Sequence, residues 1–505
     1  MWLSKFNLKN IPAGAAQVPD HALFELPEKV LQFGTGVLLR GLPDYFIDKA
    51  NKQGIFNGRV VVVKSTDGGD ATAFEKQDGL YTICVRGIEE GNKLEENIVC
   101  ASISRVLSAK SEWNKILECA HNPALKIIIS NTTEVGIQLV QDDIRCHPPV
   151  SYPGKLLAFL YERYKAFAGS TQSGMVIVPT ELIVDNGKKL EAIVAELAHL
   201  NGLEESFIDW LEKSNSFCNS LVDRIVPGKP DKALKLEIEK ETGYQDDLTL
   251  MTEVYRLWAI EGNDQIAEVL SFAKVDKAVV IAEDINLFRE LKLRLLNGTH
   301  ILSSGVAFLS GLGTVKNAMD NFQMHEFIKV LMQSEIASAI PYKTTKAQTE
   351  EFSINCLDRF RNPFIEHQWL SITVQYSSKM KLRVIPVLLQ YYSLYNKLPE
   401  NIATGFAAYI YFMKAVKEEK GIYYGRFNGK DYPINDDKAF YFYEKWQNVQ
   451  PALIAASVLR DVSMWGYDLT SLAGFADAVQ EKINDIEENG MAAVIDPLHT
   501  KKSIA

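Results

Sequence analysis

Four polar side chains recur on a segment that is otherwise apolar, residues 289–300, with the sequence RELKLRLLNGTH. At about 100° per residue in an α-helix, the four fall within one arc of about 140°: Arg289, Lys292, Asn297 and His300. A lysine near the start of a helix and beside a cationic arginine should lose its proton more readily than an isolated lysine. Lys292 is therefore a candidate proton donor and acceptor that needs no metal.

The neighbours of that lysine have complementary chemistry. Asn297 can donate a hydrogen bond to an oxygen that gains negative charge, and His300 can orient a substrate hydroxyl. Beside a nicotinamide, these three groups would form a site that reduces a ketone to an alcohol. The alternative is a partly buried helix whose polar residues satisfy loop backbones. The pattern alone leaves both interpretations open.

A glycine-rich turn, QFGTGVLLRG, places Gly34 and Gly36 directly after the first predicted strand. A tight strand-to-helix turn needs a residue without Cβ, and a pyrophosphate must approach its backbone closely. Leu39 stands where the full dinucleotide pattern has a third small residue. After the second strand, Lys64 favours a 2′-phosphate and Asp67 a free ribose, so these residues leave NAD and NADP both open.

Two kinds of structure are expected to position these residues. Before about residue 285, helical patterns alternate with short strand-like runs, which lie at 29–34, 59–64, 125–133, 174–182 and 277–284. This alternation predicts an α/β fold, with a mostly parallel Rossmann-like sheet. Long helical patterns dominate afterwards. We predict a dinucleotide-binding domain over 1–284 and a mainly α-helical substrate domain over 285–505, with a fixed cleft at their junction.

Four other segments have distinctive patterns. The runs 80–88 and 97–107 resemble strands of an antiparallel excursion, and 421–437 is typical of a surface loop or hairpin. Residues 295–315 contain no charged side chain over a length that could span a bilayer. Asn297 and several other polar residues within it would be costly in lipid, so a buried helix is the better interpretation.

Composition excludes several classes of function. The 505 residues carry a net charge of −10, which argues against nucleic acid or an anionic membrane as the main partner. The six cysteines are scattered without a CxxC pair, so we expect no structural metal site. The N-terminal stretch lacks the pattern of a secretory signal. We therefore predict a cytoplasmic protein with reduced thiols.

Six motifs run in order through nearly the whole chain: QFGTGVLLRG, QDGLYT (77–82), SNTTEVG (130–136), VDRIVPG (222–228), KLRLLNGTH (292–300) and RFRNP (359–363). Together they resemble the polyol-specific long-chain dehydrogenases, the mannitol dehydrogenase family. The Lys-x4-Asn-x2-His helix is the most specific of these elements. The longer phrases IVPTELIVDNG, NSFCNSLVDRIVPG and RFRNPFIEHQWLSI are most similar to members that act on the hexuronate tagaturonate.

The resemblance implies roles for individual residues. It implies that Lys292 is a metal-independent general acid and base, that Asn297 stabilises an oxyanion and that His300 orients the substrate. It implies substrate contacts at three further positions: Asp223, Arg359 and His367. It implies a cofactor site formed by eight residues: Gly34, Thr35, Gly36, Val37, Lys64, Asn131, Thr132 and Glu134.

The chain departs from the polyol enzymes at two places. Glu181 and Leu182 align with an Asp-Asn pair whose asparagine is a second oxyanion donor, so that donor is absent or supplied elsewhere, for example by Asn186. Arg289 stands where those enzymes have a glutamate. A cation there suits a substrate with a carboxylate, as in a hexuronate. The alternative is that Arg289 pairs with Glu290 or another surface acid.

The expected reaction is the reversible, NAD(H)-dependent reduction of D-tagaturonate to D-altronate, and NADP is not excluded. Rival substrates are fructuronate, fructose, mannitol or another polyol, and a sugar phosphate. A non-catalytic sugar- or nucleotide-binding protein is the rival from another class, although the intact Lys-Asn-His set argues against it. The partner is expected to be a small hexuronate or aldonate, with no nucleic acid or membrane, and the chain to be a monomer or homo-oligomer.

Overall fold

The computed structural model of the chain describes residues 1–65, 71–132 and 136–496. The chain divides into two compact units. The first consists of Met1–Gly87 and Lys93–Ile285, and the second of Ile88–Asn92 and Asn286–Ala505. Separate hydrophobic clusters fill the two units, two of them large in the first unit and one in the second.

Among the described residues, the strands of the first unit, two of which reach the segment 88–92, are in chain order β1 (Glu28–Phe33), β2 (Arg59–Lys64), β3 (Tyr81–Glu89), β4 (Asn92–Cys100), β5 (Ile103–Ser108), β6 (Ile127–Ser130), β7 (Val176–Pro179), β8 (Ser216–Phe217), β9 (Ser220–Asp223), β10 (Leu250–Glu253), β11 (Leu257–Glu261) and β12 (Val279–Ala282). Its α-helices are α1 (Val37–Gly41), α2 (Pro43–Lys52), α3 (Thr72–Lys76), α4 (Ala109–Glu118), α5 (Tyr152–Ala166), α6 (Asn186–Leu200), α7 (Glu205–Ser214), α8 (Lys232–Thr242) and α9 (Asp264–Val269).

A six-stranded sheet in the order β5-β2-β1-β6-β7-β8 is the centre of the first unit, and every neighbouring pair in it is parallel. The apolar run of β2 is buried on both faces because successive side chains point to opposite sides. Val60 and Val62 belong to one hydrophobic cluster, and Val61 and Val63 to the other. The predicted Rossmann-like α/β fold is confirmed.

The smaller sheets correct part of the strand prediction. Segment 97–107 was predicted as one strand of an antiparallel excursion, but it is divided between β4 and β5. β4 lies beside β3 in a separate three-stranded sheet with β10, whereas β5 pairs in parallel with β2 in the main sheet. The corner between them is held by Asp48, whose carboxylate accepts a hydrogen bond from the Ala101 N–H at 2.8 Å. A third sheet has the order β12-β11-β9.

Helices make up most of the second unit. In chain order they are α10 (Asn286–Leu291), a π-helical turn (Lys292–Leu296), α11 (Asn297–Leu309), α12 (Val315–Asp320), α13 (Phe322–Val330), a second π-helical turn (Leu331–Ile336), α14 (Lys346–Phe360), α15 (Trp369–Ile372), α16 (Tyr376–Arg383), α17 (Ile385–Tyr395), α18 (Glu400–Phe412), α19 (Ala439–Asn448), α20 (Ile454–Leu459), α21 (Val462–Trp465), α22 (Phe475–Asn489) and α23 (Met491–Val494). The predicted change from an α/β to a mainly helical region is thus confirmed.

The uncharged stretch 295–315 contains the whole of α11, a buried helix that packs closely on α18. Glycines permit this approach: a Cβ on Gly305 would lie 3.0 Å from the Ala408 carbonyl, and one on Gly405 would lie 2.6 Å from the Leu302 side chain. The stretch therefore belongs to a protein core, as predicted. Within the described ranges, no helix combines the length and apolar character that crossing a membrane requires.

The predicted hairpin near 421–437 is also confirmed. Three antiparallel strands, β13 (Lys417–Glu419), β14 (Ile422–Phe427) and β15 (Lys430–Pro433), are joined by two-residue turns. Both residues of the second turn, Asn428 and Gly429, have positive φ. An Asn-Gly pair favours that geometry because its twist matches that of the strands it joins.

Candidate active site

The helical segment that carries the predicted catalytic residues contains a π turn. Residues Lys292–Leu296 form it, and the Asn297 N–H bonds to the carbonyls of both Lys292 and Leu293. The α-helical spacing assumed from the sequence is therefore wrong between Arg289 and Asn297, because a π turn holds more residues than an α turn. Asn297 and His300 both lie in α11 and keep the expected spacing. Single π turns within α-helices occur frequently at functional sites.

The His300 ring is held by aromatic neighbours. It stacks on Phe360, the last residue of α14, with ring centroids 4.1 Å apart and planes at 15°. It meets the rings of His367 and Trp369 edge-on, at centroid distances of 5.5 and 6.0 Å. The structure thus brings two sequence-predicted residues, His300 and His367, into contact from segments 67 residues apart in the chain (367 − 300).

The surroundings of His300 favour the neutral imidazole. Burial first, and then the positive potential of His367, Arg359 and Arg383, hold its pKa well below the usual range of histidine. Burial, Arg359 and Lys379 lower the pKa of His367 as well. The buried Nε2 atom of His300 has no hydrogen-bond partner in the described chain. A neutral imidazole with an open nitrogen can exchange a hydrogen bond with a substrate hydroxyl.

Lys292 begins the π turn, Asn297 directly follows it, and both residues are half-buried. Lys292 interacts with other groups of the protein. No residue in the described ranges is hydrogen-bonded to the side-chain amide of Asn297. That amide can therefore donate to an oxygen of a bound ligand without first breaking a contact within the protein.

Two cationic residues at this site were missed by the sequence reasoning. Lys379 and Arg383 lie on α16, and their charges act on His367 and His300 respectively. Their spacing of four residues in YSSKMKLR was an available signal, because such residues share one helix face. Nothing in the sequence, however, indicated that α16 packs beside α11.

Arg289 lies beside Asn286, whose side-chain oxygen accepts a hydrogen bond from its guanidinium at 2.5 Å. Glu290, the acid considered as an alternative partner for Arg289, is bound by Arg294 at 2.9 Å. Arg294 is buried and also donates to the carbonyls of Leu382 and Arg383. It therefore ties the π turn to the end of α16.

The glycine turn of the first unit follows β1. Gly34 has φ +127°, and a Cβ there would lie 2.9 Å from the fully buried Leu39 side chain and 3.2 Å from the Asn131 carbonyl. Leu39, which departs from the dinucleotide pattern, thus packs closely against Gly34. Gly36 has an ordinary φ of −62°, and a Cβ there would lie more than 4 Å from every atom of the described residues other than its two chain neighbours. The space beside its backbone suits the close approach of a pyrophosphate.

Those of the other sequence-predicted cofactor residues that the structure describes lie at the same edge of the sheet. The Thr35 carbonyl accepts a hydrogen bond from Arg40, Val37 begins α1, and Lys64 is the last residue of β2. Asn131 follows β6, where its N–H donates to the Phe33 carbonyl at 3.2 Å. Glu134 lies outside the described residues, as does Asp67.

Polar side chains near this edge bond to the protein itself. The Asn131 side chain donates to Thr180 Oγ1 at 3.0 Å. The Thr132 N–H donates at 2.7 Å to the carboxylate of Glu181, whose pKa is raised by burial. The side chains of Asn131 and Thr132 are therefore both hydrogen-bonded within the protein.

Asn186 is not available as a second oxyanion donor, contrary to one expectation. Its Nδ2 donates to the carbonyls of Pro179, Glu181 and Ser220, and its Oδ1 accepts from Gly187 and Ser220. It is only 1% exposed, so every polar atom serves to fix the loop after β7. Asp223, a predicted substrate contact, ends β9 in the first unit and is buried.

In a comparison with models of protein families, two domain models match successive segments of the chain. The family model described as the mannitol dehydrogenase Rossmann domain matches residues 28–274, and the mannitol dehydrogenase C-terminal domain matches 284–487. An altronate oxidoreductase of Bacillus subtilis is 38% identical over 484 residues, which is 95% of this chain and 96% of the relative. One of Shigella flexneri is 36% identical and covers 94% and 97%.

The fold is also found in a solved structure. The mannitol 2-dehydrogenase of Pseudomonas fluorescens, in ternary complex with NAD and D-mannitol, superposes with a TM-score of 0.67. It covers 99% of this chain and 100% of its own, at 22% identity. At that identity the likeness shows the shared fold alone.

Proposed function

The chain belongs to the mannitol dehydrogenase family, and from that premise we propose that it is a tagaturonate reductase, also called altronate oxidoreductase. Such an enzyme reduces D-tagaturonate reversibly to D-altronate with NADH. Relatives named altronate oxidoreductase support the assignment, because they align along nearly the full length of both chains.

One observation carries the assignment to a sugar acid. A protein with a net charge of −10 gathers three cationic side chains around the neutral His300 and its neighbour His367: Arg359, Lys379 and Arg383. An uncharged polyol gives no reason to gather this much positive charge, which is costly when partly buried. The carboxylate of a hexuronate compensates that charge.

The residues of the second unit have distinct tasks in this proposal. Lys292 donates the proton that the keto oxygen takes up as it becomes a hydroxyl. Asn297 donates a hydrogen bond to that oxygen while its negative charge develops. His300, neutral and with an open Nε2, positions a substrate hydroxyl, and Arg359 and His367 hold other polar groups of the substrate. Asp223 and Arg289 remain proposed substrate contacts.

NADH supplies the hydride when it is bound. The residues that would hold it are those of the turn Gly34–Val37, together with Lys64, Asn131, Thr132 and Glu134. The fit is supported by the space beside the Gly36 backbone, which no described residue beyond its two chain neighbours fills. We assign residues 1–284 to dinucleotide binding and 285–505 to substrate binding. We place the enzyme in the cytoplasm, where its cysteines stay reduced.

Steady-state kinetics test the proposal. D-tagaturonate, D-fructuronate and D-fructose are each assayed with NADH and with NADPH by the loss of reduced-cofactor absorbance. We expect the highest kcat/KM for tagaturonate with NADH. A preference for fructuronate would make the chain a fructuronate reductase instead. Measurable cofactor binding without oxidation of either cofactor would favour a non-catalytic binding protein.

A further inference from the structure

Helix α16 contributes two cations to the site of the second unit. Lys379 and Arg383 are four residues apart and therefore lie on one helix face. Both are half-buried. The Lys379 ammonium donates to the Ile372 carbonyl at 2.8 Å, and Asp436 contributes a compensating negative potential. Lys379 is thus partly satisfied within the protein.

The backbone of Arg383 is fixed to the turn that carries the proposed catalytic groups. Arg294, in the middle of the π turn, donates to the Leu382 carbonyl at 2.6 Å and to the Arg383 carbonyl at 3.1 Å. A Cβ on Gly298 would lie 3.8 Å from the same Arg383 carbonyl. The end of α16 therefore lies against the residue that follows Asn297, and its position is set by the helix that carries Lys292.

The Arg383 guanidinium has no hydrogen bond or ion pair with any residue of the described ranges. Burial lowers its pKa, so the charge is only partly solvated. A half-buried guanidinium without an anion is costly, and a bound carboxylate would relieve that cost. Arg383 shares its positive potential at His300 with Arg359, and it also lowers the pKa of Lys379.

We propose that Arg383, supported by Lys379 one turn earlier, binds the carboxylate of the substrate and separates a hexuronate from the uncharged ketose of the same length. This inference rests on the proposed function and names the group that sets its selectivity. Arginine suits the task because its planar guanidinium matches a carboxylate with two parallel hydrogen bonds. Arg383 takes this role in preference to Arg289, whose guanidinium donates to Asn286.

The test compares Arg383→Gln with the matched control Lys381→Gln. Lys381 lies on the same helix but beside Gly466, away from His300. Each variant is assayed with D-tagaturonate and with D-tagatose, which carries a hydroxymethyl group in place of the carboxylate. For Arg383→Gln we expect the KM for tagaturonate to rise about 10- to 100-fold, since hydrogen bonds to charged groups are worth that much. The kcat/KM for tagatose and the Kd for NADH should stay within about threefold. Lys381→Gln should match the wild-type enzyme throughout.

A wild-type KM for tagaturonate in a folded Arg383→Gln variant would overturn the inference and leave the proposed function standing. Equal losses with tagaturonate and tagatose would also overturn it, because they would indicate a structural role. Failure of the wild-type enzyme to reduce any keto-hexuronate would overturn the proposed function and the inference with it.

Arg383→Lys keeps the test decisive if the glutamine variant does not fold. The lysine retains the positive charge but cannot form two parallel hydrogen bonds to a carboxylate. The KM for tagaturonate should therefore rise about tenfold at unchanged kcat. An unchanged KM in Arg383→Lys would contradict carboxylate binding by this guanidinium.

Discussion

The polar groups around the glycine turn are hydrogen-bonded within the protein, whereas several around the π turn have no hydrogen bond to any described residue. Near the glycine turn, Asn131, Thr132 and Asn186 are hydrogen-bonded to the protein itself. Near the π turn, the Nε2 of His300, the amide of Asn297 and the guanidinium of Arg383 have no partner in the part of the chain that the structure describes.

This difference separates two ways of holding a ligand. A turn whose side chains are satisfied offers backbone and shape, which suit a cofactor shared by many enzymes. A helix face with unsatisfied polar groups is costly to the folded protein until a ligand arrives, and so it selects the ligand that satisfies those groups. Substitutions near the glycine turn should change stability or cofactor affinity, and those near the π turn should change turnover and selectivity.

The largest effect is expected from Lys292→Ala. Loss of the proton donor should lower kcat by about 10²- to 10⁴-fold, the usual contribution of general acid–base catalysis. The Kd for NADH, measured by fluorescence titration, should be unchanged because the glycine turn is untouched. Lys316→Ala, which removes an ion-paired lysine from α12 of the same unit, is the matched control and should retain wild-type kcat.

Asn297→Ala should have the next largest effect. Without the amide donor, kcat and kcat/KM should fall together by about 10²- to 10³-fold, because the lost bond matters most when the oxygen is charged. Asn297→Asp should be slower still, since a carboxylate repels the developing oxyanion. A rise in KM at constant kcat would instead make Asn297 a ground-state binding residue.

Substitutions of the two glycines of the turn should have different effects, one on stability and the other on cofactor affinity. Gly34→Ala should destabilise the protein by about 1–3 kcal/mol, because its φ is positive and the new Cβ would contact Leu39. Gly36→Ala should leave the thermal midpoint unchanged, yet weaken NADH binding about 10- to 100-fold by occupying the space beside the backbone. Calorimetry and cofactor titration on both variants measure the two effects. Unchanged NADH affinity in Gly36→Ala would argue against a pyrophosphate there.

The smallest effect concerns pH and His300. Its pKa in the folded protein lies below the value of about 6.5 expected in the unfolded chain, so the unfolded state binds the extra proton first. The contribution of His300 to the free energy of unfolding is therefore fully present above pH 6.5 and is lost as the pH falls below that value. His300→Phe keeps a ring on Phe360 and removes this titration. Urea unfolding is measured at pH 7 and at pH 5. The decrease in the free energy of unfolding between the two pH values should be about 1–2 kcal/mol smaller in the variant than in the wild-type protein. An equal decrease in both proteins would contradict a lowered pKa of His300 in the folded state.

Local patterns were sufficient for much of the fold. The strand at 59–64, the glycine turn and the hairpin near 421–437 are set by residue type and short-range geometry, and the structure confirms them. The run at 125–133 contains a shorter strand, Ile127–Ser130. Long-range pairing was not predictable in the same way: nothing local indicates that 103–108 joins the main sheet or that α16 packs beside α11.

The candidate site shows the same limit. The sequence proposed Lys292, Asn297 and His300 together, because one helical pattern carries all three. It missed Arg383 and Lys379, which reach the site only through tertiary packing, and it missed the π turn, because helical periodicity assumes regular hydrogen bonding. It also offered Asn186 as an oxyanion donor, since the three carbonyls that occupy its amide come from separate strands and loops.

Amine rescue of Lys292→Ala tests most directly the claim that the Lys292 amine supplies the proton. The variant is mixed with NADH and D-tagaturonate in a single turnover, with and without added methylamine and related small amines. The rate should be low without amine and should rise with amine concentration, while Lys316→Ala shows no response. Among amines compared at equal concentration of the ammonium form, the rate should rise with the acidity of that ammonium ion, because the ammonium donates the proton. A rate near the wild-type value without amine, or a slow rate that no amine changes, would contradict the assignment.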